Sequence, residues 1–583
     1  MHRLLISLCF LFVGFAGLSQ ETAATTETVI AGHWTSILPP LIAILMALLL
    51  REVIVSLLVG ILVGIIVLQF NGSWHLLSFA HSLEGSKQFI GAVGSGLLDL
   101  PFTIQTALFD ADHLSVILFT LFIGAMVAII SKNGGMMALV KKISKKATTA
   151  RSGQMATYLL GISIFFDDYA NTLVVGKTMR PLTDRLKISR EKLAYIVDST
   201  AAPVAAIAFI TTWIGAELGY ISDGVNSIPN GPELLGNSYG IFFDSLKYSF
   251  YPILTLFFIF VLIRKQRDFG PMFRAEKRAR SQNVPKDGIG NAQVQVAEID
   301  EIADDKENMW NALIPIFVLI GGAIFGLIAT GYSASVWNGN EGFLHKLSAT
   351  IGNADSYKAL IWSSFGGLAT AILLTTVRNI KNITETVEMA LEGIKLMIPA
   401  IAILSLAWAL ANVTKDLHTA EFLASTIGNS VSAQFLPTIV FILAASIAFA
   451  TGTSWGTMSI LYAMVLGATW SICQAAGLDL ETSRSIFVNV VACVLAGAVL
   501  GDHCSPISDT TILSSMASDC NHIDHVRTQM PYALTVGGVS ILFGTLPAGF
   551  GVPGYITFPI AALVLYGVVS YFGKSVENTG FEA

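Results

Sequence analysis

Residues 154–179 read QMATYLLGISIFFDDYANTLVVGKTM. The stretch is long enough to cross a bilayer, since about 20 mostly apolar residues suffice, but Asp167 and Asp168 stand side by side at its centre. Lys and Arg accumulate on one side of a membrane, and six basic residues with no acid lie between Lys132 and Arg151. Six more, with two acids, lie between Lys177 and Lys192. A single crossing would put these clusters on opposite sides. A re-entrant hairpin that enters and leaves by one face keeps them together, and that is the expectation.

Working outward, the 583-residue chain is 53% apolar and 13% charged, with a mean hydropathy of +0.67. Soluble domains carry about 25% charged residues. Gly (51) and Pro (18) fit neither a collagen-like nor a disordered class. Five Cys without a CxxC pair argue against a disulfide scaffold or a thiolate zinc centre, and no metal beyond a transported ion is expected. The net charge of −6 gives no footprint for nucleic acid. The remaining class is an all-α polytopic membrane protein.

Candidate spans are 35–50, 52–70, 113–131, 192–219, 248–263, 310–332, 359–377, 395–413, 485–515, 532–549 and 555–572, about 11 transmembrane helices. Residues 1–19 carry His2 and Arg3 before an apolar run and read as a signal peptide, or as an extra N-terminal helix. Counting crossings from an outside N-terminus puts every basic cluster inside if 154–179 is an inward-opening hairpin. The same count makes 437–472 an outward-opening hairpin. Two inverted repeats follow, 35–263 and 309–572, with a cytoplasmic tail at 573–583. The charged linker 264–308 is expected to be a flexible cytoplasmic connector whose basic first part lies on anionic lipid. Inverted repeats with helices broken at the midplane are the plan of many secondary transporters.

The polar residues at membrane depth carry the functional argument. Asp167, Asp168, Asp198, Asp502 and Asp509 would each cost about 2.5–3.5 kcal/mol at a helix centre. Such residues persist where they serve ions or protons. Asp167, Asp168 and Asn171 sit at the first hairpin tip, although Asp and Asn also cap helix N-termini. The second tip carries Thr451, Thr453 and Ser454, whose hydroxyls can replace a cation's water or satisfy their own backbone. The run Gly501-Asp502-His503-Cys504-Ser505-Pro506-Ile507-Ser508-Asp509-Thr510-Thr511 contains a helix-breaking proline. Gly501 and Pro506 mark the expected break, with Ser505, Ser508 and Thr510 as ligands beside Asp502 and Asp509. His503 is a side chain of a type that can titrate between pH 5 and 8, and it is the candidate for tuning the carboxylates' pKa. In the first half, Asp198-Ser199-Thr200-Ala201-Ala202-Pro203 is one candidate break and Thr211-Thr212-Trp213 another. If the second holds, Asp198, Ser199 and Thr200 line a pathway.

The Gly501–Thr511 run, followed by His525-Val526-Arg527-Thr528-Gln529-Met530-Pro531-Tyr532-Ala533, resembles the NhaC family of Na⁺/H⁺ antiporters. So do Phe166-Asp167-Asp168-Tyr169-Ala170-Asn171, Asp198-Ser199-Thr200-Ala201-Ala202-Pro203 and Gly452-Thr453-Ser454-Trp455-Gly456. The resemblance covers roughly residues 35–572 apart from the 264–308 loop. It implies a cofactor-free exchanger of Na⁺ (Li⁺ being a second candidate cation) for H⁺ in the bacterial inner membrane, not an enzyme. It also implies inverted repeats with two re-entrant hairpins. Members assigned to malate, lactate or other organic substrates make a Na⁺/H⁺-coupled carboxylate or amino-acid exchanger the alternative. Membrane lipid and a second copy of the chain are the expected partners.

Overall fold

A computed structural model describes residues 34–576 except 51, 70–82, 145–146, 282–306, 339–345, 347–349, 351–352, 420–421, 423–431 and 507. The N-terminal segment 1–19 and most of the tail lie outside the described residues. Helix α1 is Leu38–Leu50 and α2 is Val53–Gln69. They are followed by α3 (Leu83–Leu108), α4 (Ala111–Lys132) and α5 (Gly135–Ser144). The first predicted hairpin is a pair of helices, α6 (Ala150–Ser163) and α7 (Asp168–Arg185), separated by four non-helical residues. Thr149 and Ser152 close a capping box at the start of α6, which satisfies two otherwise orphaned amides.

The span predicted at 192–219 is two helices. Helix α8 (Arg190–Ala205) is capped by Ser189, and α9 (Thr212–Asn226) by Thr211, which accepts from the amides of Trp213 and Ile214. The break therefore falls at 206–211. Pro203 is not the breaking point: it lies inside α8, two residues before its end, close enough to the terminus for the helix to finish normally.

Helix α10 (Phe250–Lys265) leads into α11 (Gly270–Ser281), which corrects the expectation of a wholly flexible 264–308 linker. Buried polar contacts hold its first part down. Lys192 donates to Asp268 at 2.6 Å, both essentially buried, and Tyr532 donates to the same oxygen at 2.7 Å. Glu276 accepts from the Ser189 amide and hydroxyl, both at 2.7 Å. Arg267 and Asp268 pair as a two-residue ladder with Lys574 and Ser575. Removing one partner of a buried pair strands the other charge, so Lys192→Met is expected to cost about 3–5 kcal/mol. Denaturation of the purified protein in detergent measures it. A loss below about 1 kcal/mol would mean that water reaches Asp268.

The second half contains α12 (Trp310–Gly331), α13 (Ser356–Val377) and α14 (Ile383–Asp416). The second predicted hairpin is α15 (Leu436–Thr451) and α16 (Ser454–Ala475). Gly452 ends α15 at φ +73, the left-handed cap that a glycine adopts without steric cost. Helix α17 (Leu480–Cys504) stops at Ser505, which is extended at φ −81, ψ 128, as a residue before proline must be. Helix α18 (Asp509–Ala517) restarts after the break with Ser508 as its cap. Gly501, expected at this break, lies inside α17. Helices α19 (His522–Ser540) and α20 (Gly554–Phe572) complete the chain.

Among the described residues nine helices are long and apolar enough to cross a membrane, or ten if the bent pair Ser238–Tyr248 and Phe250–Lys265 is one span. The molecule is an all-α, multi-pass membrane protein. Helix α17 is its axis: nearly all of it is buried. The Lys/Arg-rich end of α7 and start of α8 lie at one face with α11, whose Arg278 pairs with Glu191, and there Arg190 pairs with Asp519 at 2.7 Å. The other face holds Asp110, His113, Asp223 and Lys415 around a cavity of about 220 Å³.

Candidate functional site

The first hairpin tip is clamped to the start of α9 by two hydrogen bonds. The Thr212 amide donates to the Phe166 carbonyl at 3.0 Å, and the Thr212 hydroxyl donates to Asp167 Oδ2 at 3.1 Å. Asn171 ties the tip's other side, its Nδ2 donating to the carbonyls of Gly161 (2.6 Å), Ile164 (3.1 Å) and Thr200 (3.1 Å). Its amide nitrogen is occupied in closing the break in backbone hydrogen bonding that a hairpin creates, while Oδ1 is buried without a partner. Asp168 differs. It is 2% exposed, and neither carboxylate oxygen makes a full hydrogen bond, the Trp213 indole and the amides of Asp168 and Tyr169 being the donors that face it. As the first residue of α7 it lies at the positive end of that helix.

Asp168 lines a cavity of about 10 Å³, room for one water-sized particle, with Tyr169, Trp213, Gly452, Thr453, Ser454, Trp455, Asp502 and Thr510. The cavity thus gathers both hairpin tips and the α17–α18 break. The Trp213 and Trp455 rings meet edge to face at 5.7 Å. Thr510 donates to Asp502 Oδ2. Among the other predicted ligands, Thr453 caps α16 by accepting from the Gly456 amide, and Ser508 caps α18 by accepting from the Thr511 amide. Ser454 donates to the Ala498 carbonyl at 3.3 Å and Thr451 to the Ile447 carbonyl at 2.9 Å. A hydroxyl used as a donor or cap keeps a lone pair for a cation. Ser505 ends α17 at the break and Pro506 follows it. The Asp509 side chain is outside the described part.

Asp198 does not face this cavity's lining but centres a second polar cluster. It is fully buried and accepts from Thr511 (3.2 Å), Ser514 (3.0 Å) and Gln529 (2.5 Å), with His525 Nε2 at 3.9 Å. Thr511 also reaches the Asp502 carbonyl at 3.4 Å, so the clusters share the α17–α18 break. His503 turns away, its Nδ1 2.9 Å from the Tyr251 hydroxyl. Thr200 donates to the Ile196 carbonyl at 2.7 Å, and Ser199 is buried beside it.

Sequence reading missed three residues. Gln529 and His525 were quoted for resemblance alone; their link to Asp198 spans more than 300 positions and leaves no local signal. Glu217 was passed over because the predicted span ended at 219. It is 1% exposed, with Oε1 unpartnered, on the α9 face that carries Trp213, Tyr220 and Gly224 at helical spacing. That face runs from the central cavity to the 220 Å³ cavity, which Gly224 and Asp223 line. A buried carboxylate without a partner is destabilising, so Glu217→Gln is expected to raise the melting temperature in detergent by a few degrees. A lowered melting temperature would mean that the carboxylate bonds something the fold relies on.

The architecture has a solved counterpart. The YdaH transporter of Alcanivorax borkumensis aligns at a TM-score of 0.50 and 14% identity, over 79% of this chain and 90% of that one. An uncharacterized protein of Haemophilus influenzae is 33% identical over 458 residues, 79% of this chain and 83% of the relative. The malate-2H⁺/Na⁺-lactate antiporter of Bacillus subtilis is 32% identical over 102 residues, 17% of this chain and 19% of that protein. Residues 207–547, from the α8–α9 break past the end of α19, match the Na⁺/H⁺ antiporter family, and the chain belongs to that family.

Proposed function

We propose that this protein exchanges Na⁺ for H⁺ across the bacterial inner membrane by alternating access at the cavity between the hairpin tips. The observation that carries the reading is Asp168. It is a buried carboxylate that makes no full hydrogen bond, in a cavity of single-ion size lined by Asp502 and by the hydroxyl-bearing Tyr169, Thr453, Ser454 and Thr510. A hard cation favours oxygen donors, and two acids in one desolvated cavity favour holding a proton when the cation leaves. Na⁺ and H⁺ then compete for Asp168 and Asp502, with Thr453, Ser454 and Thr510 completing the cation's shell. The Lys/Arg-rich face is cytoplasmic on this reading. The two helix–break–helix elements belong to inverted repeats that rock against the remaining helices.

The test is collapse of a preformed pH gradient by added Na⁺ or Li⁺ in everted vesicles from cells lacking their own antiporters. A response to neither cation from neutral to alkaline pH would reject the reading. The second reading is coupled exchange of a small carboxylate or amino acid. The 220 Å³ cavity supports it by size, with Lys415 as the cation an anion would meet there, although Asp110 and Asp223 also line it and His113 is engaged by Asp223 and the Ala107 carbonyl. The central cavity is too small for such a molecule. Uptake of labelled malate, lactate or arginine into proteoliposomes separates the two.

A further inference from the structure

At the Lys/Arg-rich face a chain of polar contacts runs from the partly exposed His522 inward to Asp198. His522 Nε2 lies 2.6 Å from the Pro506 carbonyl oxygen, and its Nδ1 lies 3.0 Å from Ser515 Oγ. Ser515 Oγ is also 2.7 Å from the Thr511 carbonyl oxygen and 2.9 Å from Nδ1 of the fully buried His525. His525 Nε2 is 3.0 Å from Gln529 Oε1. The orientation of Gln529 is fixed by chemistry. Its Nε2 faces two pure acceptors, Asp198 Oδ2 at 2.5 Å and the His503 carbonyl at 3.0 Å, so its oxygen must face His525.

The five contacts joining Pro506, His522, Ser515, Thr511, His525 and Gln529 each need one hydrogen. Two neutral imidazoles and one hydroxyl supply three. The Pro506 and Gln529 oxygens, which only accept, claim the N–H of each imidazole on Nε2. Both Nδ1 atoms are then bare, facing a single hydroxyl for which the Thr511 carbonyl competes. Leaving buried polar atoms unmatched costs about 1–3 kcal/mol each. One added proton supplies a missing donor; burial of His525 opposes the resulting cation, and the Asp198 carboxylate 3.9 Å away favours it. A second proton would place two cations on one hydroxyl.

We infer that His522, Ser515 and His525 form a proton-binding site that loads one proton from the Lys/Arg-rich side and reports it, through Asp198 and Thr511, to the α17–α18 break at Asp502. The functional part rests on the antiport reading; the proton site itself does not. The ionisable groups acting on His525 are Asp198 from α8 and His522 from its own helix. Helix α17 presents the His503 carbonyl rather than its ring, through Gln529. Helix α18 presents only hydroxyls among its described side chains here. On the other elements packed against α19, Asp268 is engaged by Lys192 and Tyr532, and Glu276 by Ser189. The partly exposed Arg190–Asp519 pair lies at the same surface.

The experiment is a ¹⁵N-histidine NMR titration of the full chain in lipid nanodiscs, with resonances assigned through His522→Gln, His525→Gln and Ser515→Ala. His522 and His525 are expected to take up one proton between them, so that replacing one changes the protonation curve of the other. Ser515→Ala is expected to uncouple them. Midpoints that ignore each other's replacement, or two imidazoles that stay neutral into the acid range, would overturn the inference. His522 is partly exposed, so its variant remains informative if His525→Gln misfolds. In the vesicle assay, His522→Gln and Ser515→Ala should flatten the pH dependence of exchange without removing the Na⁺ response. An unchanged profile would overturn the coupling to Asp502. Absence of exchange in the unaltered protein would reject the antiport reading and leave the titration to judge the proton site.

Discussion

Asp168→Asn is expected to reduce Na⁺-driven proton exchange by more than about 100-fold, and Asp502→Asn to do the same, while Asp167→Asn retains activity within about tenfold. The difference follows from what each carboxylate touches. Neither Asp168 oxygen makes a full hydrogen bond in the central cavity, so its only evident counter-charge is a cation or proton. An amide there can neither titrate nor neutralise Na⁺. Removing about 3 kcal/mol of cation binding suffices for a 100-fold effect, since each 1.4 kcal/mol is tenfold. Asp167 accepts a hydrogen bond from Thr212, and the carbonyl oxygen of an Asn can accept the same bond. Stability separates loss of chemistry from loss of fold. A charge at membrane depth is costly, so Asp168→Asn should melt no lower than the parent, unlike Lys192→Met. Full exchange by Asp168→Asn in the vesicle assay would remove it from the site. Loss of exchange accompanied by a collapsed melting temperature would show only that its charge supports the fold.

That pair of neighbouring aspartates shows how far a sequence can be read. The apolar run with two central acids, placed between basic clusters, points to a hairpin broken midway, around the cluster 165–172, and α6 and α7 part at 164–167. Pro506 locates the α17–α18 break because proline restricts the residue before it, whatever the surroundings. Which aspartate is engaged could not be read, because the answer lies with Thr212, 45 positions away. The choice between two breaks in the first half had the same origin. Asp198 is chemically suited to a break, but Ser514 and Gln529, more than 300 positions distant, satisfy it within an intact helix. Helix α3 escaped because Gly, Ser and Asp dilute its hydropathy below that of a spanning segment. Helix α11 escaped because a short amphipathic basic helix resembles a linker until Lys192 and Ser189 bind it. Local rules find the breaks, and partner choice across the chain decides which polar residue is left open.

Gly501→Val is expected to abolish transport and lower the melting temperature by several degrees, although Gly501 touches no ion in this reading. Gly497 and Gly501 lie one helical turn apart on α17, facing α15. A Cβ at Gly497 would stand 2.4 Å from the Phe441 carbonyl oxygen, and one at Gly501 would stand 2.2 Å from the Ala445 carbonyl oxygen and 2.7 Å from the Phe449 amide nitrogen. These are backbone atoms, so no rotamer relieves the clash. The helices must separate by about 1 Å, as close-packed interiors have no slack. Glycine-faced contacts of this kind bring membrane helices together, and overpacking one costs about 1–3 kcal/mol. The functional loss should exceed what that cost implies. The residue after Gly501 is Asp502, and α15 ends three residues after Ala448, at Thr451 beside the second hairpin tip. Moving α15 from α17 therefore pulls the Gly452–Ser454 wall of the cavity away from Asp502. Gly501→Ala should show the same pattern more weakly, with a raised KM for Na⁺. Gly538→Ala is the control, because a Cβ there meets nothing within 4 Å. In a helix it should be neutral or stabilise by about 0.4–1 kcal/mol. If Gly501→Val keeps the parent's KM for Na⁺, the α15–α17 contact does not position the cavity, and the second hairpin tip must be held by α16 instead.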